Sequence, residues 1–522
     1  MKLTRRTALT SAGLGLLLPR LAWAETAAAV PRERIERYLP ELDNLVREAL
    51  RQTGVPGLSV AVVAADQVVH VKGFGVRQVG RPETVDADTV FQIASMSKPI
   101  ASTVVAALVG ENVVTWDDPI VRHEPAFAMH DAWVTRAITL RDMFCHRGGL
   151  PHHAGDLVED IGYDRAEVLH RMRYVVPATS FRSHYAYTNF GLTAAAVAAA
   201  KASGQSWEEV SAERLYRPLG MRSTSSRLAD FVAAPNRALG HVRQDNAPGA
   251  KWIAKYTREP DAQSPSGGVS SSAHDLAQWL RLQLGRGTVD GREIVKAAAL
   301  DETHRPQIVI TPAANPMVDH SSFYGLGWNV GYDGQGRIRW SHSGAFNLGA
   351  ATCVDVLPTE RIGIAVLTNA NPTGVPEAVG RSFLDLVLTG KVERDWFALF
   401  GQAMASIMAP DYGTSVDYSK PPPQRSPSLA AAAYVGRYRN DLYGPAEIAE
   451  SAGGLVLKLG PKQSSYAMRH FDRDVFTYQP VGENAYGLSA LTFRVAADQK
   501  AAALTIENLD GNGQGTFHRA PS

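Results

Sequence analysis

The spacing of apolar and polar residues changes several times along the chain, and each spacing predicts a type of secondary structure. Residues 31–53 carry apolar side chains at helical spacing. The run GLSVAVVAADQVVHVKGFGV (57–76) predicts two strands around a polar turn. Two alanine-rich stretches, 101–114 and 189–204, predict buried helices that end near glycines.

Helical spacing continues through SAHDLAQWLRLQLGRG (272–287), and strand patterns return from about residue 320. The returning strands are YGLGWNVGYD, IRWSHSG, GAATCVDVLP and RIGIAVLTN. Strands at both ends of the region and helices between them predict one α+β domain over residues 30–402, with a single sheet that gathers both ends.

A change in composition marks the end of this domain. The stretch DYGTSVDYSKPPPQRSPS (411–428) is rich in Pro, Ser and Tyr, so residues 403–430 are predicted to form an extended linker. Short strands at regular spacing follow, among them GLVLKLG, DVFTYQP and ALTFRVA. They predict a small antiparallel β-barrel-like domain over 431–522.

The first 24 residues, MKLTRRTALTSAGLGLLLPRLAWA, have the pattern of an export signal. A basic start, a short apolar run and a small-x-small ending predict cleavage before Glu25. Arg5-Arg6 favours the twin-arginine route over an ordinary export signal. We therefore expect a periplasmic or secreted protein. No other stretch has the length and apolarity of a membrane span, so stable membrane insertion is not expected.

Composition narrows the choice of function. The 522 residues exceed what one ordinary core requires, and a net charge of +1 gives no reason to expect a nucleic-acid partner. There are two cysteines, Cys145 and Cys353, so this is not a disulfide scaffold, and the sequence does not show whether they are bonded. A catalytic Cys145–His146 pair is disfavoured because neighbouring residues rarely face each other.

The segment Ser95-Met96-Ser97-Lys98 holds the strongest candidate for catalysis. Residues three apart share a helix face, so Ser95 can meet Lys98, and Pro99 suits the first turn of a helix that begins around 95–97. A lysine in this apolar setting is desolvated and becomes a usable base, which would make Ser95 the nucleophile. The alternative is a helix-capping serine followed by a surface lysine.

Two further segments supply possible partners. Tyr187-Thr188-Asn189 precedes an apolar helix; a phenol near an ammonium can be held as a phenolate base, and an amide can contact both lysine and substrate. The same pattern occurs at Tyr438-Arg439-Asn440, which we interpret as structural. His342-Ser343-Gly344 ends a strand, and its glycine permits close backbone approach.

In this order, Ser95-x-x-Lys98, Tyr187-x-Asn189 and His342-Ser343-Gly344 resemble the three motifs of the serine β-lactamase and penicillin-binding-protein family. The second motif resembles the class C branch, which includes DD-peptidases, D-aminopeptidases and esterases. The stretches LRDMFCHRGGLP, YRPLGMRSTSS, SPSGGVSSSAHDLAQWL and YGLGW agree, and the resemblance covers roughly residues 35–400. The C-terminal strands resemble the lipocalin-like β domain that some members append.

The resemblance implies a role for each matching residue. Ser95 is the acylated nucleophile, and Lys98 and Tyr187 share the work of general base and acid. The remaining expected substrate-binding residues are Asn189, His342, Ser343, Gly344 and Ala345. The backbone N–H groups of Ser95 and Ala345 would form the oxyanion hole.

The third motif departs from the commonest pattern, because His342 stands where β-lactamases place lysine. A neutral or partly charged histidine binds a carboxylate less strongly than lysine does. We therefore expect a serine hydrolase that cleaves amide bonds of small or D-residue peptides, with carboxylesterase and then β-lactamase activity as alternatives. A penicillin-binding sensor or binding protein is the non-enzyme alternative.

Other chemistries have little support in the sequence. There is no Gly-x-Ser-x-Gly elbow and no His-Glu-x-x-His motif. His152-His153 with Asp156 lacks further ligands at suitable spacing, so no metal and no organic cofactor are expected. The expected partner is a small-molecule or short-peptide substrate, and the oligomeric state cannot be read from the sequence.

Overall fold

The computed structural model describes residues 29–245 and 249–521. It begins with helices α1 (Arg32–Arg37) and α2 (Leu39–Thr53) and continues with a strand pair, β1 (Gly57–Ala64) and β2 (Gln67–Gly75), and the short strand β3 (Phe91–Gln92). The helical middle comprises α3 (Ser97–Gly110), α4 (Ile120–His123), α5 (Ala132–Ala137), α6 (Leu140–Phe144), α7 (Asp156–Asp160), α8 (Arg165–Arg171), α9 (Asn189–Ala202), α10 (Trp207–Ser211), α11 (Arg217–Leu219) and α12 (Leu228–Ala233). Short 3₁₀ helices lie at Ala94–Met96 and Met172–Tyr174, and a π-helical turn spans Ala212–Tyr216.

The chain then returns to strands. The next elements are β4 (Val242–Arg243), β5 (Trp252–Ile253), a 3₁₀ turn at Asp261–Gln263, α13 (Ser264–Gly267), β6 (Ser270–Ser271), α14 (Ala273–Leu284), β7 (Thr288–Val289), β8 (Arg292–Glu293) and α15 (Ala297–Thr303). They are followed by β9 (Ile308–Thr311), β10 (Ser322–Tyr324), β11 (Asn329–Tyr332), β12 (Ile338–Phe346), β13 (Ala350–Leu357), β14 (Ile362–Thr368), α16 (Val375–Thr389) and α17 (Trp396–Ile407).

Eight of these strands form one antiparallel sheet in the order β2-β1-β14-β13-β12-β11-β10-β9. The first strand, β1, therefore pairs directly with the last, β14, so one sheet gathers both ends of the domain, as the sequence pattern predicts. Strand β14 is buried along its whole length because helices cover both faces of the sheet. Ile364 packs with α2 and α16, whereas Ala365 faces the core that includes α14. A strand buried on both faces accounts for the unbroken apolar run IGIAVLT.

Helices α3 and α9 form the centre of the helical region. Nearly every residue of each is buried, as expected for helices that are apolar on all sides. Helix α3 begins at Ser97, two residues after the candidate nucleophile Ser95, and α9 begins at Asn189. The fold thus brings the starts of two buried helices next to strand β12.

The C-terminal region, from the 3₁₀ turn at Ala431–Ala433 onward, forms a second antiparallel sheet. Its strands are β15 (Gly436–Asn440), β16 (Gly444–Ser451), β17 (Gly454–Leu459), β18 (Ser464–Ala467), β19 (Arg469–Asp472), β20 (Val475–Tyr478), β21 (Ser489–Val495), β22 (Ala501–Ile506) and β23 (Thr516–Arg519), with a 3₁₀ turn at Glu507–Leu509. The order is β18-β17-β16-β15-β23-β22-β21-β20-β19. The two end strands follow each other in the chain, so the sheet is a nearly closed barrel.

The fold class expected from the sequence is confirmed: an antiparallel sheet flanked by helices, an all-helical region and a small barrel-like sheet. Helix α17 extends to Ile407, five residues into the segment predicted to be the linker. The export signal lies outside the described residues and stays a prediction, as do the domain boundaries. Within the described ranges no helix is long and apolar enough to cross a membrane. Cys145 and Cys353 are both free and buried.

Asp142 on α6 anchors the loop that leads into the site. It is fully buried and accepts hydrogen bonds from Arg147 Nε at 2.7 Å and Arg182 Nη2 at 2.8 Å. Burial alone would raise the pKa of this carboxyl, but these hydrogen bonds lower it on balance. Its stabilising contribution is therefore fully present at neutral pH and is lost only as the pH falls through this lowered pKa.

We predict that Asp142→Asn lowers the free energy of unfolding by about 3 kcal/mol, because it leaves two guanidinium groups without their buried counter-charge. Urea unfolding monitored by circular dichroism measures the change. Asp117→Asn is the control, because this carboxylate is 70% exposed and Arg141 keeps a second carboxylate partner, Glu302, without it. Its loss should cost less than about 1 kcal/mol. Equal costs for the two variants would contradict the prediction.

Candidate active site

Ser95 lies at the point where the 3₁₀ turn Ala94–Met96 passes into α3. The preceding residue, Ala94, has φ 47°, a left-handed conformation that is costly for a residue with a Cβ. Such strain persists only where the surrounding structure enforces it. The turn leaves Ser95 partly exposed at the positive end of α3, where a developing alkoxide is favoured.

Lys98 is fully buried one turn further along α3. Its Nζ donates to Ser95 Oγ at 3.1 Å, to Asn189 Oδ1 at 2.7 Å and to the Ser266 carbonyl oxygen at 3.0 Å. Burial lowers the pKa of this amine to about 7, although the negative charge of Asp156 opposes the shift. Near neutral pH a large fraction of Lys98 is therefore the free amine, which can accept a proton.

Tyr187 approaches Ser95 from the helical region. Its hydroxyl donates to Ser95 Oγ at 2.7 Å, and its ring centroid lies 4.4 Å from Lys98 Nζ. Burial raises the pKa of this phenol well above its usual value. The resting site thus holds a neutral phenol, which argues against the phenolate that the sequence suggested and makes Lys98 the stronger candidate for the base.

Asn189 is the first residue of α9, and both polar atoms of its side-chain amide form hydrogen bonds. Its Oδ1 accepts from Lys98, and its Nδ2 donates to Asp156 Oδ2 at 2.8 Å. The same carboxylate oxygen lies 3.0 Å from His153 Nδ1. Asp156 thus fixes the Asn189 amide, and His153 in turn fixes Asp156. The sequence did not indicate either role. Within the described ranges no group of side chains has the arrangement of a metal site.

The third motif lies in β12, where successive side chains point to opposite faces of the sheet. His342 and Gly344 share the face toward Ser95, whereas Ser343 points to the opposite face, where it interacts with Glu377 and Cys353. A Cβ on Gly344 would lie 2.2 Å from the Ile93 carbonyl oxygen. The expected close backbone approach is therefore present, and a substrate contact by Ser343 stays a prediction.

Ala345 lies in the part of β12 that pairs with a neighbouring strand on one side only. Strand β11 pairs with β12 only as far as Ser341, and on the other side β13 accompanies β12 to Phe346. The segment 342–346 is thus open on one side. This arrangement leaves room for the oxyanion role that the family resemblance gives to the Ala345 N–H.

His342 is buried, and its two ring nitrogens have separate partners. Nδ1 lies 2.7 Å from the Ser343 carbonyl oxygen, and Nε2 lies 2.9 Å from the Tyr324 hydroxyl. The carbonyl requires a proton on Nδ1, so Nε2 accepts from the phenol. Burial, with the nearby charge of Lys98, lowers the pKa of His342 to about 3. The ring is neutral near pH 7 and offers no charge to a substrate carboxylate.

An aromatic wall surrounds these groups. The His146 ring lies 4.8 Å from the rings of both Tyr187 and Tyr324, and Tyr185 lies 5.4 Å from Tyr324. His146 Nδ1 also accepts from the Thr188 N–H at 3.2 Å, which fixes the second motif. Sequence reasoning considered His146 only as a partner for Cys145. Burial raises the pKa of the Cys145 thiol to about 12, so it is a poor nucleophile.

Two further hydroxyl groups, that of Ser97 beside the candidate nucleophile and that of Tyr438 in the second Tyr-x-Asn pattern, have structural roles. Ser97 donates to the Ala94 carbonyl oxygen at 2.6 Å and accepts from the Val269 N–H at 3.0 Å, so it fixes the turn that carries Ser95. Tyr438 in β15 is buried and donates to the Tyr434 carbonyl oxygen. Neither hydroxyl is oriented toward Lys98.

Comparisons with known proteins agree with this geometry. A family model described as "Beta-lactamase" matches residues 42–389, and one described as "Domain of unknown function (DUF3471)" matches residues 420–517. An unguisins hydrolase from Aspergillus campestris is 27% identical over 76% of this chain and 75% of its own length. Penicillin-binding protein 4 from Amycolatopsis lactamdurans is 28% identical over 62% of this chain and 83% of its own length.

A solved structure shares the fold. The octameric penicillin-binding protein homologue from Pyrococcus abyssi superposes with a TM-score of 0.59 and 18% identity, covering 92% of this chain and 99% of its own. At this level of identity the likeness concerns architecture alone.

We predict that Gly344→Ala lowers the free energy of unfolding by about 1–3 kcal/mol and impairs turnover, because the new methyl group overlaps the backbone before Ser95. Urea unfolding and steady-state rates measure the two effects. Gly331→Ala is the matched control, because a Cβ at this position in β11 would have no described heavy atom within 4 Å beyond its chain neighbours. Equal stability of the two variants would contradict the close approach.

Proposed function

The chain belongs to the beta-lactamase family, and from this premise we propose that it is a serine hydrolase that works through an acyl-enzyme on Ser95. Its relatives include proteins named hydrolases and penicillin-binding proteins. One observation carries the proposal: the Ser95 hydroxyl oxygen lies 3.1 Å from the Lys98 amine and 2.7 Å from the Tyr187 hydroxyl. The proposed base and the proposed acid thus both contact the oxygen atom of the proposed nucleophile.

The proposed acylation begins with the free amine of Lys98. It takes the Ser95 proton as Oγ attacks the carbonyl carbon, and the N–H groups of Ser95 and Ala345 stabilise the oxyanion. Tyr187 then gives its hydroxyl proton to the leaving amine or alcohol and recovers one from the Lys98 ammonium. In deacylation, Lys98 takes a proton from the attacking water as the water oxygen bonds to the acyl carbon. The bond to Ser95 Oγ then breaks, the acid leaves, and the Lys98 ammonium returns that proton to Oγ.

The charge of the site supports a preference among substrates. Efficient binding of β-lactams, which carry a carboxylate, favours a cation at the third motif, and His342 is neutral there. We therefore rank amide bonds of small or D-residue peptides first, simple esters second and β-lactams third. Two Aspergillus relatives are named unguisins hydrolases, so an unguisin is a further candidate substrate.

The alternative of a sensor or binding protein differs in deacylation. Such a protein would keep a stable adduct on Ser95 without turnover. The Lys98–Asn189–Asp156 chain favours turnover, because it holds the base in place after the first proton transfer.

Hydrolysis of a D-alanyl anilide, a short-chain aryl ester, a chromogenic cephalosporin and an unguisin by the wild type and Ser95→Ala tests the proposal. We expect fastest turnover of the anilide or the unguisin, and a loss of about 10³-fold or more in Ser95→Ala because the nucleophile is removed. Lys98→Ala should lose activity similarly.

Ser102→Ala is the matched control, because this serine lies on the same helix and its buried hydroxyl has no hydrogen-bond partner among the residues that the structure describes. It should keep the wild-type rate. Turnover near wild type in purified Ser95→Ala would refute the proposed nucleophile. Dominant turnover of the cephalosporin would show that a neutral His342 does not disfavour β-lactams, and a lasting adduct by mass spectrometry would favour a sensor.

The pH dependence follows from Lys98. Because burial lowers its pKa to about 7, kcat/KM should rise as the pH increases through 7 and then level off as the amine loses its proton. Rates measured between about pH 5 and about pH 9 test this. Glu159 also has a pKa near 7, raised by burial, so Glu159→Gln is the control and should keep the rise. Loss of the rise in that variant would contradict the assignment to Lys98.

A further inference from the structure

A segment of the C-terminal sheet region, residues 480–486 between β20 and β21, lies on the turn that joins β12 to β13. The Asn347 backbone N–H in that turn donates to Glu483 Oε1 at 2.5 Å. The Asn347 side chain donates to the Glu483 carbonyl oxygen and to the Tyr486 hydroxyl, both at 2.8 Å. Three hydrogen bonds from one residue therefore fasten the turn to this segment.

The fastened turn directly follows the residue expected to form the oxyanion hole. Ala345 and Asn347 are two residues apart, and Phe346 between them packs against Ala94, the neighbour of Ser95. Strand β11 does not extend beside this part of β12. The end of β12 is thus held by β13, by the Ser95 turn and by the 480–486 segment.

The same segment is anchored on the helical wall of the site. Asp160 at the end of α7 accepts from the backbone N–H groups of Glu483 at 3.1 Å and Asn484 at 2.9 Å. Asp156 at the start of this helix binds Asn189. The 480–486 segment therefore contacts both α7, whose Asp156 binds Asn189, and the β12–β13 hairpin, which carries Ala345.

A buried arginine, Arg258, contacts both the 480–486 segment and Phe346 of β12. Arg258 Nη2 donates to Glu159 Oε2 at 2.5 Å, and its Nε lies 3.6 Å from Glu483 Oε2. Its guanidinium carbon lies 5.4 Å from the centre of the Phe346 ring. Arg258 thus contacts both the carboxylate of the segment and the ring next to Ala345.

We propose that the C-terminal region is a working part of the active centre, in which Glu483 is a positioning residue that fixes Asn347 and, through it, the Ala345 N–H. The inference rests on the proposed function, which gives Ala345 its role. A donor must point at the position the oxyanion will occupy, and a displacement of about 1 Å can cost about 10²-fold in rate. The matched "domain of unknown function" would then complete the site rather than form a separate module.

Glu483→Ala in the full chain tests this. Loss of the acceptor should lower kcat by about 10- to 100-fold with little change in KM, because the oxyanion forms only after substrate is bound. The inhibition constant of phenylboronic acid, which forms a tetrahedral adduct with an active-site serine, should rise by a similar factor. Rates are measured well below the thermal unfolding midpoint of each variant.

Two further variants separate positioning from general damage. Glu483→Gln keeps an acceptor oxygen for Asn347 and should stay within about threefold of the wild-type kcat. Glu450→Ala, an exposed carboxylate of the same sheet, should match the wild type. A kcat of Glu483→Ala within twofold of wild type, or equal losses in the Gln and Ala variants, would overturn the inference.

Failure of the proposed function has a different signature. If the wild type itself forms no Ser95 adduct with phenylboronic acid and turns over no substrate, the proposed function is overturned and the inference with it. An active wild type with unchanged Glu483→Ala overturns the inference alone.

Discussion

The removal of Lys98 from water is the constraint on which the rest of the site depends. A buried ammonium is costly, so its pKa falls to about 7 and it becomes a base. The burial is produced by α3 and α9, two helices that are apolar on all sides. Three acceptors around Nζ keep the amine from leaving this position. The apolar scaffold and the proposed catalytic amine therefore depend on each other, because the same helices that form the core lower the pKa of Lys98.

The second constraint is the close approach of backbones around Ser95. The turn that holds the serine is strained at Ala94, is bonded by Ser97 and lies against β12 where Gly344 has no side chain. Strain of this kind needs support from several directions. Strand β12 supports the turn at Gly344, and Phe346 at the end of the hairpin supports it at Ala94. These contacts link the geometry of the proposed nucleophile, Ser95, to the position of Ala345. The contacts of the 480–486 segment with Asn347 extend this support into the C-terminal sheet.

Much of this arrangement could be predicted from local sequence, and the remainder could not. Helical spacing pairs Ser95 with Lys98, and the apolar periods predict both sheets, because these effects act within a few residues. The phenolate form of Tyr187 was expected from its neighbour's charge, whereas burial, which sequence does not show, dominates its pKa. The support by Asp156, the wall formed by His146 and Tyr324, and the contact of Glu483 with Asn347 join residues far apart in the chain. Such contacts have no local pattern, so only the fold shows them.

The neutral state of His342 affects the charge balance around Lys98. Burial and the nearby charge of Lys98 both disfavour a proton on its ring, so the two groups do not carry charge together. In the proposed mechanism Lys98 takes the serine proton, and its new positive charge then lies near Asp156, while His342 stays neutral. A lysine at position 342 would help to bind a carboxylate, but its charge would oppose protonation of Lys98. A neutral histidine at this position thus provides no charge for substrate recognition, and it does not oppose the proton transfer to Lys98 that we propose.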